Sequence, residues 1–399
     1  MKAPAALICL LVLTACVAAG PGPRPTASDK LYEAVDAGAL PGLAVVDAAS
    51  KTTARRLALG VPSPDWKHVY SILGTSLVDT DPQTGALQNS AQLGDSYRLP
   101  AATAGGVPGG LSPNGRWLIV ESSGAQHSRM LIIDVTTFKV VERIELAGDF
   151  EFDAINDRGS SLYLIQRVGV SDYHVRLYDV PAAALDPEFV VDKNDGDEAM
   201  SGLRLSGVAT RDHEWLLSIY AREHKPPFIH ALSLDGPFAL CLDLPGTGYL
   251  DDPREMDWSL AMSPDGSTVY AVNPATGLIA VLSTRLGDAP NIVRTSHIGV
   301  AQGGGAVRGA NSAVVAGDAL IAGGPAGLVW IDTSTLRAVR STVPGWQIVS
   351  VGLSTDGKQA YAVSEQGRIA VVSVASAQVM TMFDPSAGTP MALMRVAAT

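Results

Sequence analysis

Ser263-Pro264-Asp265-Gly266-Ser267-Thr268-Val269-Tyr270-Ala271-Val272 is the stretch on which the fold turns. Proline presets φ at the second position, aspartate tolerates the bend, and glycine accepts the positive φ that closes it. The alternating apolar residues that follow read as a β-strand. The same arrangement stands at Ser112-Pro113-Asn114-Gly115 before Arg116-Trp117-Leu118-Ile119-Val120 and at Ser354-Thr355-Asp356-Gly357 before Tyr361-Ala362-Val363. Weaker copies are Ser63-Pro64-Asp65-Trp66 and Asn156-Asp157-Arg158-Gly159. An apolar segment precedes each turn, so each copy is a hairpin.

A third strand follows each hairpin, as in Leu131-Ile132-Ile133-Asp134-Val135 and Leu328-Val329-Trp330-Ile331-Asp332. A poorer fourth comes after it, such as Val140 to Leu146. The unit repeats about every 45 residues, a period of β-propeller blades. Two longer gaps fit if degraded turns lie near Thr210 to Glu214 and at Gly317-Asp318. The count is then seven blades of four antiparallel strands. Solenoid coils are shorter, sandwich domains need about 100 residues each, and no long stretch carries helical periodicity. A ring must also bury its first and last faces against each other. Residues 43–46 and 54–59 read as outer strands before the first turn, and residues 391–396 as an inner strand after the last unit. The expectation is an all-β, seven-bladed propeller over residues 40–399, closed by strands from both termini, or an eight-bladed one if those leftovers seed another blade. These turns and strands resemble the YVTN and WD-repeat-like propellers of bacterial surface and periplasmic proteins. The Trp-Asp and Gly-His pairs of true WD repeats are missing from the blades.

Composition is consistent with this. The 399 residues are 47% hydrophobic and 17% charged, too apolar for a disordered chain and too little charged for a coiled coil. A net charge of −11 argues against binding a phosphate backbone, so no nucleic-acid partner is expected.

Residues 1–15, MKAPAALICLLVLTA, carry one positive charge and an apolar run too short to span a bilayer. Leu13-Thr14-Ala15-Cys16 resembles the lipobox of bacterial lipoproteins. That resemblance implies a signal peptide over 1–15, lipidation at Cys16 and a flexible linker over 16–39. It implies an exported chain held on the extracytoplasmic side of a membrane by acyl groups. Cys9 leaves with the signal, and the remaining Cys241 reads as a small strand hydrophobe.

In such blades the connections between second and third strands share a face with the loops between blades. Those interblade loops are long and varied here (101–110, 192–201, 246–257 and 299–310), which marks that face for recognition. Asp192, Asn194, Asp195, Asp197 and Glu198 form an acidic cluster that could take Ca²⁺ or another divalent cation. Asp251, Asp252, Glu255 and Asp257 follow in the next interblade loop, where they could share that cation near the axis and are candidates for the binding face. His127, His174 and His224 fall in the second-to-third-strand hairpins of successive blades and are candidates for a binding face. No nucleophile elbow, His-Glu-x-x-His, CxxC or P-loop is found. The reading is a scaffold for a protein or glycan partner, with no required cofactor. The alternative, implied by the propeller resemblance, is a lactonase-like hydrolase using a divalent cation at the axis. A quinone-cofactor propeller ranks last, because the six Trp residues do not recur once per blade.

Overall fold

A computed structural model of the chain describes residues 28–38, 41–169, 172–191, 199–303 and 312–398. Its strands fall into eight antiparallel sheets arranged as the blades of a propeller. The strands read at the two ends of the sequence build one blade together. Asp29–Asp36, Pro41–Asp47 and Thr52–Ala58 are joined by Thr389–Ala398 in the innermost place, with Asp29 opposite Ala398 and Asp36 opposite Thr389. The ring is thus eight-bladed, the second of the two counts the repeat allowed, and both ends of the chain close it. The propeller also begins earlier than expected. Asp29–Asp36 lies within the stretch assigned to linker, because Leu31, Ala34 and Val35 are buried despite the polar residues before them.

Blades 2, 4, 5, 6, 7 and 8 begin with Val61–Pro62, Phe150–Ile155, Leu203–Ala209, Ser259–Met262, Ala313–Ala316 and Ile348–Leu353, and each holds a complete four-strand path. Blade 3 has three full strands, Trp117–Ser122, His127–Asp134 and Lys139–Ala147. Its inner edge is reduced to isolated bridges, Leu111–Leu118 and Arg98–Glu121, and a bond from the Ile119 amide to the Gly110 carbonyl.

Among the described residues, eight of the nine buried apolar clusters each straddle one blade interface. Tyr32, Leu43 and Val69 join blades 1 and 2, and Leu217, Ile219, Trp258 and Ala271 join blades 5 and 6. Leu31, Val35, Val349, Tyr361 and Ile369 join blades 1 and 8. Eight seams for eight blades is the packing signature of a closed ring. Trp330 is 1% exposed on the seam between blades 7 and 8, and its indole Nε1–H donates to the Val374 carbonyl at 3.1 Å.

The repeated turn carries its own hydrogen-bond network. In blade 6 the Ser263 hydroxyl donates to Asp265 Oδ1 at 2.6 Å and accepts from the Thr268 amide at 3.1 Å. Asp265 also accepts from the Ser267 amide, and Gly266 has φ +75°. Ser354/Asp356 and Ser112/Asn114 repeat this network. The degraded copy does too, since the Thr210 hydroxyl donates to Asp212 at 2.6 Å and His213 takes φ +62° in glycine's place. These networks hold the Asp65 and Asp265 carboxyls down to about 2, mainly through the serine hydroxyls.

Candidate functional site

The loop-rich face is where the inner strands enter, and the loop over residues 101–110 dominates it. This segment is a hairpin, bridged between Ala101 and Pro108 and tied by the Ala102 amide to the Val107 carbonyl at 2.7 Å. Gly110 ends it at φ +103°, where a Cβ would lie 2.6 Å from the Ile119 carbonyl oxygen. The hairpin leaves the entry to blade 3 and crosses the axial opening. Its tip amide at Ala104 donates to the Arg204 carbonyl of blade 5 at 2.8 Å, and Val107 packs on Ala392 and Met394 of blade 1.

A cavity of about 580 Å³ borders the hairpin at Gly106 and Pro108, against Val35, Leu57 and Tyr97, and two smaller ones lie on its side toward blades 4 and 5. One, of about 290 Å³, is bordered by Thr103, Glu151, Arg167, Tyr173, Arg204 and Tyr220. The other, of about 220 Å³, lies against Phe152, Asp153, Leu111, Val208 and Leu234 and shares Thr103 and Arg204 with the first. The inner strand of blade 4 supplies the charges. A β-bulge between Phe152 and Ala154 takes Asp153 out of the regular register. Asp153 is 3% exposed and accepts from Arg204 Nη1 at 3.1 Å. Glu151 pairs with Arg167 at 2.8 Å, and the Arg167 guanidinium lies 5.8 Å from the Tyr173 ring centre. The Tyr173 and Tyr220 rings are 5.9 Å apart. Burial pushes both hydroxyls above the usual phenol range, so they remain protonated donors at neutral pH. Nearby, the buried Glu121 accepts from the Phe152 amide at 2.9 Å and from Arg98, and burial raises its carboxyl. The site therefore offers paired, pre-oriented charges and aromatic rings that can bind a ligand without first assembling.

The residues singled out in the sequence are placed as follows. Asp192, Asn194, Asp195, Asp197 and Glu198 lie outside the described residues, as does Cys16. His127 is exposed at the start of its strand, 4.0 Å from Glu145. The His174 ring stacks on Phe189 at 4.0 Å. His224 and Asp251 come together at 3.1 Å, where the 222–227 hairpin packs on the 246–252 loop. The three histidines therefore have separate surroundings. Asp252 caps the short 3-10 helix Pro253–Asp257 and pairs with Arg254, whose side chain holds the Asp252 carboxyl low. Glu255 is buried, accepts from the Thr247 amide at 3.0 Å and the Trp258 indole at 2.8 Å, and is pushed up by burial. Asp257 is buried in the same helix. Asp252 and Glu255 are thus engaged in building their own loop. Among the described residues, no three His, Cys, Asp or Glu side chains gather as a metal site.

Sequence reasoning located the 101–110 loop but missed Glu151, Asp153, Arg167, Tyr173, Arg204 and Tyr220. One signal was present in Phe150-Glu151-Phe152-Asp153, where two acids interrupt an inner strand that is otherwise apolar.

No protein-family model matches the sequence, and no curated protein matches it. Among solved structures it is similar to the dihydro-heme d1 dehydrogenase NirN in complex with DHE, at TM-score 0.55 and 16% identity over 92% of this chain and 74% of that one. It is also similar to apo AztD from Citrobacter koseri, at TM-score 0.57 and 10% identity over 94% of this chain and 99% of that one. At these identities the likeness establishes an eight-bladed chain's membership of a shared fold and leaves its activity to be argued from its own residues.

Proposed function

We propose that this protein is a binding module of the cell envelope, recognising a protein or glycan partner through the face that carries the interblade loops. The supporting observation is the preformed Glu151–Arg167 pair beside the 101–110 hairpin, about one third exposed, at a cavity that the buried Tyr173 and Tyr220 also border. Arginine and tyrosine are enriched where interfaces concentrate binding energy. Rings held in a packed core lose little freedom on binding. The lipobox-like Leu13-Thr14-Ala15-Cys16 supports export and tethering to a membrane through acylated Cys16.

Two measurements test the two parts. Crosslinking on intact cells followed by capture should retain a partner with the parent protein and lose it with Glu151→Ala/Arg167→Ala. Equal recovery with both proteins would refute the assignment of this face. Cys16→Ser should move the protein from the membrane to the soluble fraction, and continued membrane association would refute the anchor.

A further inference from the structure

Three buried polar atoms beneath the axial hairpin have no hydrogen-bond partner: Thr103 Oγ1, Asp153 Oδ2 and Arg204 Nε. They belong to the three residues that meet where the hairpin crosses the axis. Thr103 is on the hairpin, Asp153 is on the inner strand of blade 4, and Arg204 is on that of blade 5. All three border the cavity of about 220 Å³. Leaving buried donors and acceptors unmade is unfavourable, so the closed hairpin is held over groups it does not satisfy. Its own attachment is slight. The tip makes one backbone bond, Ala104 to Arg204, and its far side rests on the small cluster of Val107, Ala392 and Met394.

We infer that the cavity under the hairpin is a small-molecule site, entered when the hairpin lifts, for a neutral ligand that has an apolar body and one edge bearing an adjacent donor and acceptor. The walls fix the body: Leu111, Phe152, Ile155, Val208, Leu216 and Leu234 surround most of the cavity. The polar end fixes the edge. Asp153 Oδ2 is an acceptor, Arg204 Nε–H is a donor, and the Thr103 hydroxyl is both. The Asp153–Arg204 pair is neutral as a unit, so an ionic ligand would meet one like charge inside a desolvated site. A carboxamide or lactam edge is complementary to both groups at once. The inference shares the loop-rich face with the proposed partner surface but does not depend on a macromolecular partner.

Benzamide is the probe, with benzoate and toluene as matched comparators, titrated against the purified protein by NMR. Saturable benzamide binding at least tenfold tighter than either comparator is expected. Hydrogen exchange supplies a second readout. The Ala102, Ala104 and Gly106 amides should exchange at least tenfold faster than those of Phe150–Ile155, and benzamide should slow them. Asp153→Asn should bring benzoate within threefold of benzamide by removing the carboxylate that opposes it. Because that variant can unsettle blade 4, a second replaces residues 102–107 with Asn-Gly and leaves every strand in place. It should speed benzamide association and dissociation while keeping the preference over benzoate. Absence of saturable benzamide binding, equal binding of benzoate, or hairpin amides as protected as the inner strand would each overturn the inference. Failure of the parent protein to capture a partner, with benzamide binding intact, would count against the proposed function alone.

Discussion

Replacing Glu33 with methionine should abolish a large pH dependence of stability. Glu33 is 1% exposed, and both its carboxyl oxygens are buried without a hydrogen-bond partner. It shares a strand face with Leu31 and Val35, which pack on Val349 and Tyr361 across the seam between blades 1 and 8. Burial raises its carboxyl from 4.5 to about 8. The sign follows from linkage. The folded state prefers the neutral acid, so its contribution is fully present below the unfolded value near 4.5 and is lost as pH rises to about 8. Each pH unit across that interval removes about 1.4 kcal/mol, or ~5 kcal/mol in all. For a propeller of roughly 370 residues the unfolding entropy is about 0.8 kcal/mol/K, so the loss is ~6 °C in Tm. Melting curves from pH 4 to pH 9 should show the parent and Glu33→Met diverging by that amount, with the variant gaining at high pH. All other titrating groups are common to both chains and cancel in the difference. A Tm difference that stays constant across the range would refute the reasoning.

Other consequences follow from the same packing. Trp330→Phe deletes the indole bond to Val374 and some volume on the seam between blades 7 and 8, and should lower stability in urea by about 1–3 kcal/mol. Glu255→Ala strands the Thr247 amide and the Trp258 indole and should cost about 2–3 kcal/mol by the same assay. Asp251→Ala, at an exposed pair, should change little. Asp265→Asn should melt close to the parent at neutral pH, because Asn114 fills the same position in blade 3, whereas Asp265→Ala should melt lower. The serine-bonded Asp265 carboxyl is held down to about 2, so its stabilisation is lost as pH falls toward that value. The asparagine variant should lack this acid-range loss.

The turns made the architecture legible because their chemistry is local. A serine hydroxyl, an acid two residues on and a glycine can be recognised without knowing what they pack against. The network survives even where glycine is gone, at Thr210 and Asp212. Blade 1 was harder to see because it lacks that signature: its outer strands precede the first copy, and its inner strand, Thr389–Ala398, comes from the far side of the last repeat. Asp29–Asp36 was hidden for a related reason, since Asp29, Lys30 and Glu33 mask an apolar face. The site was less legible still. Asp153 and Arg204 are 51 positions apart and meet only because blades 4 and 5 are adjacent and a bulge displaces Asp153. The acids of the 246–257 loop looked like ligands by composition, yet Asp252 and Glu255 hold backbone amides.

The pairing of Asp29 with Ala398 sets a timetable for biogenesis. The strand Asp29–Asp36 is synthesised well before Thr389–Ala398, which covers its axial edge, so that row of amides and carbonyls is open to other strands until the later segment is made. Premature pairing is therefore most hazardous for this protein before the ten-residue strand Thr389–Ala398 is in place.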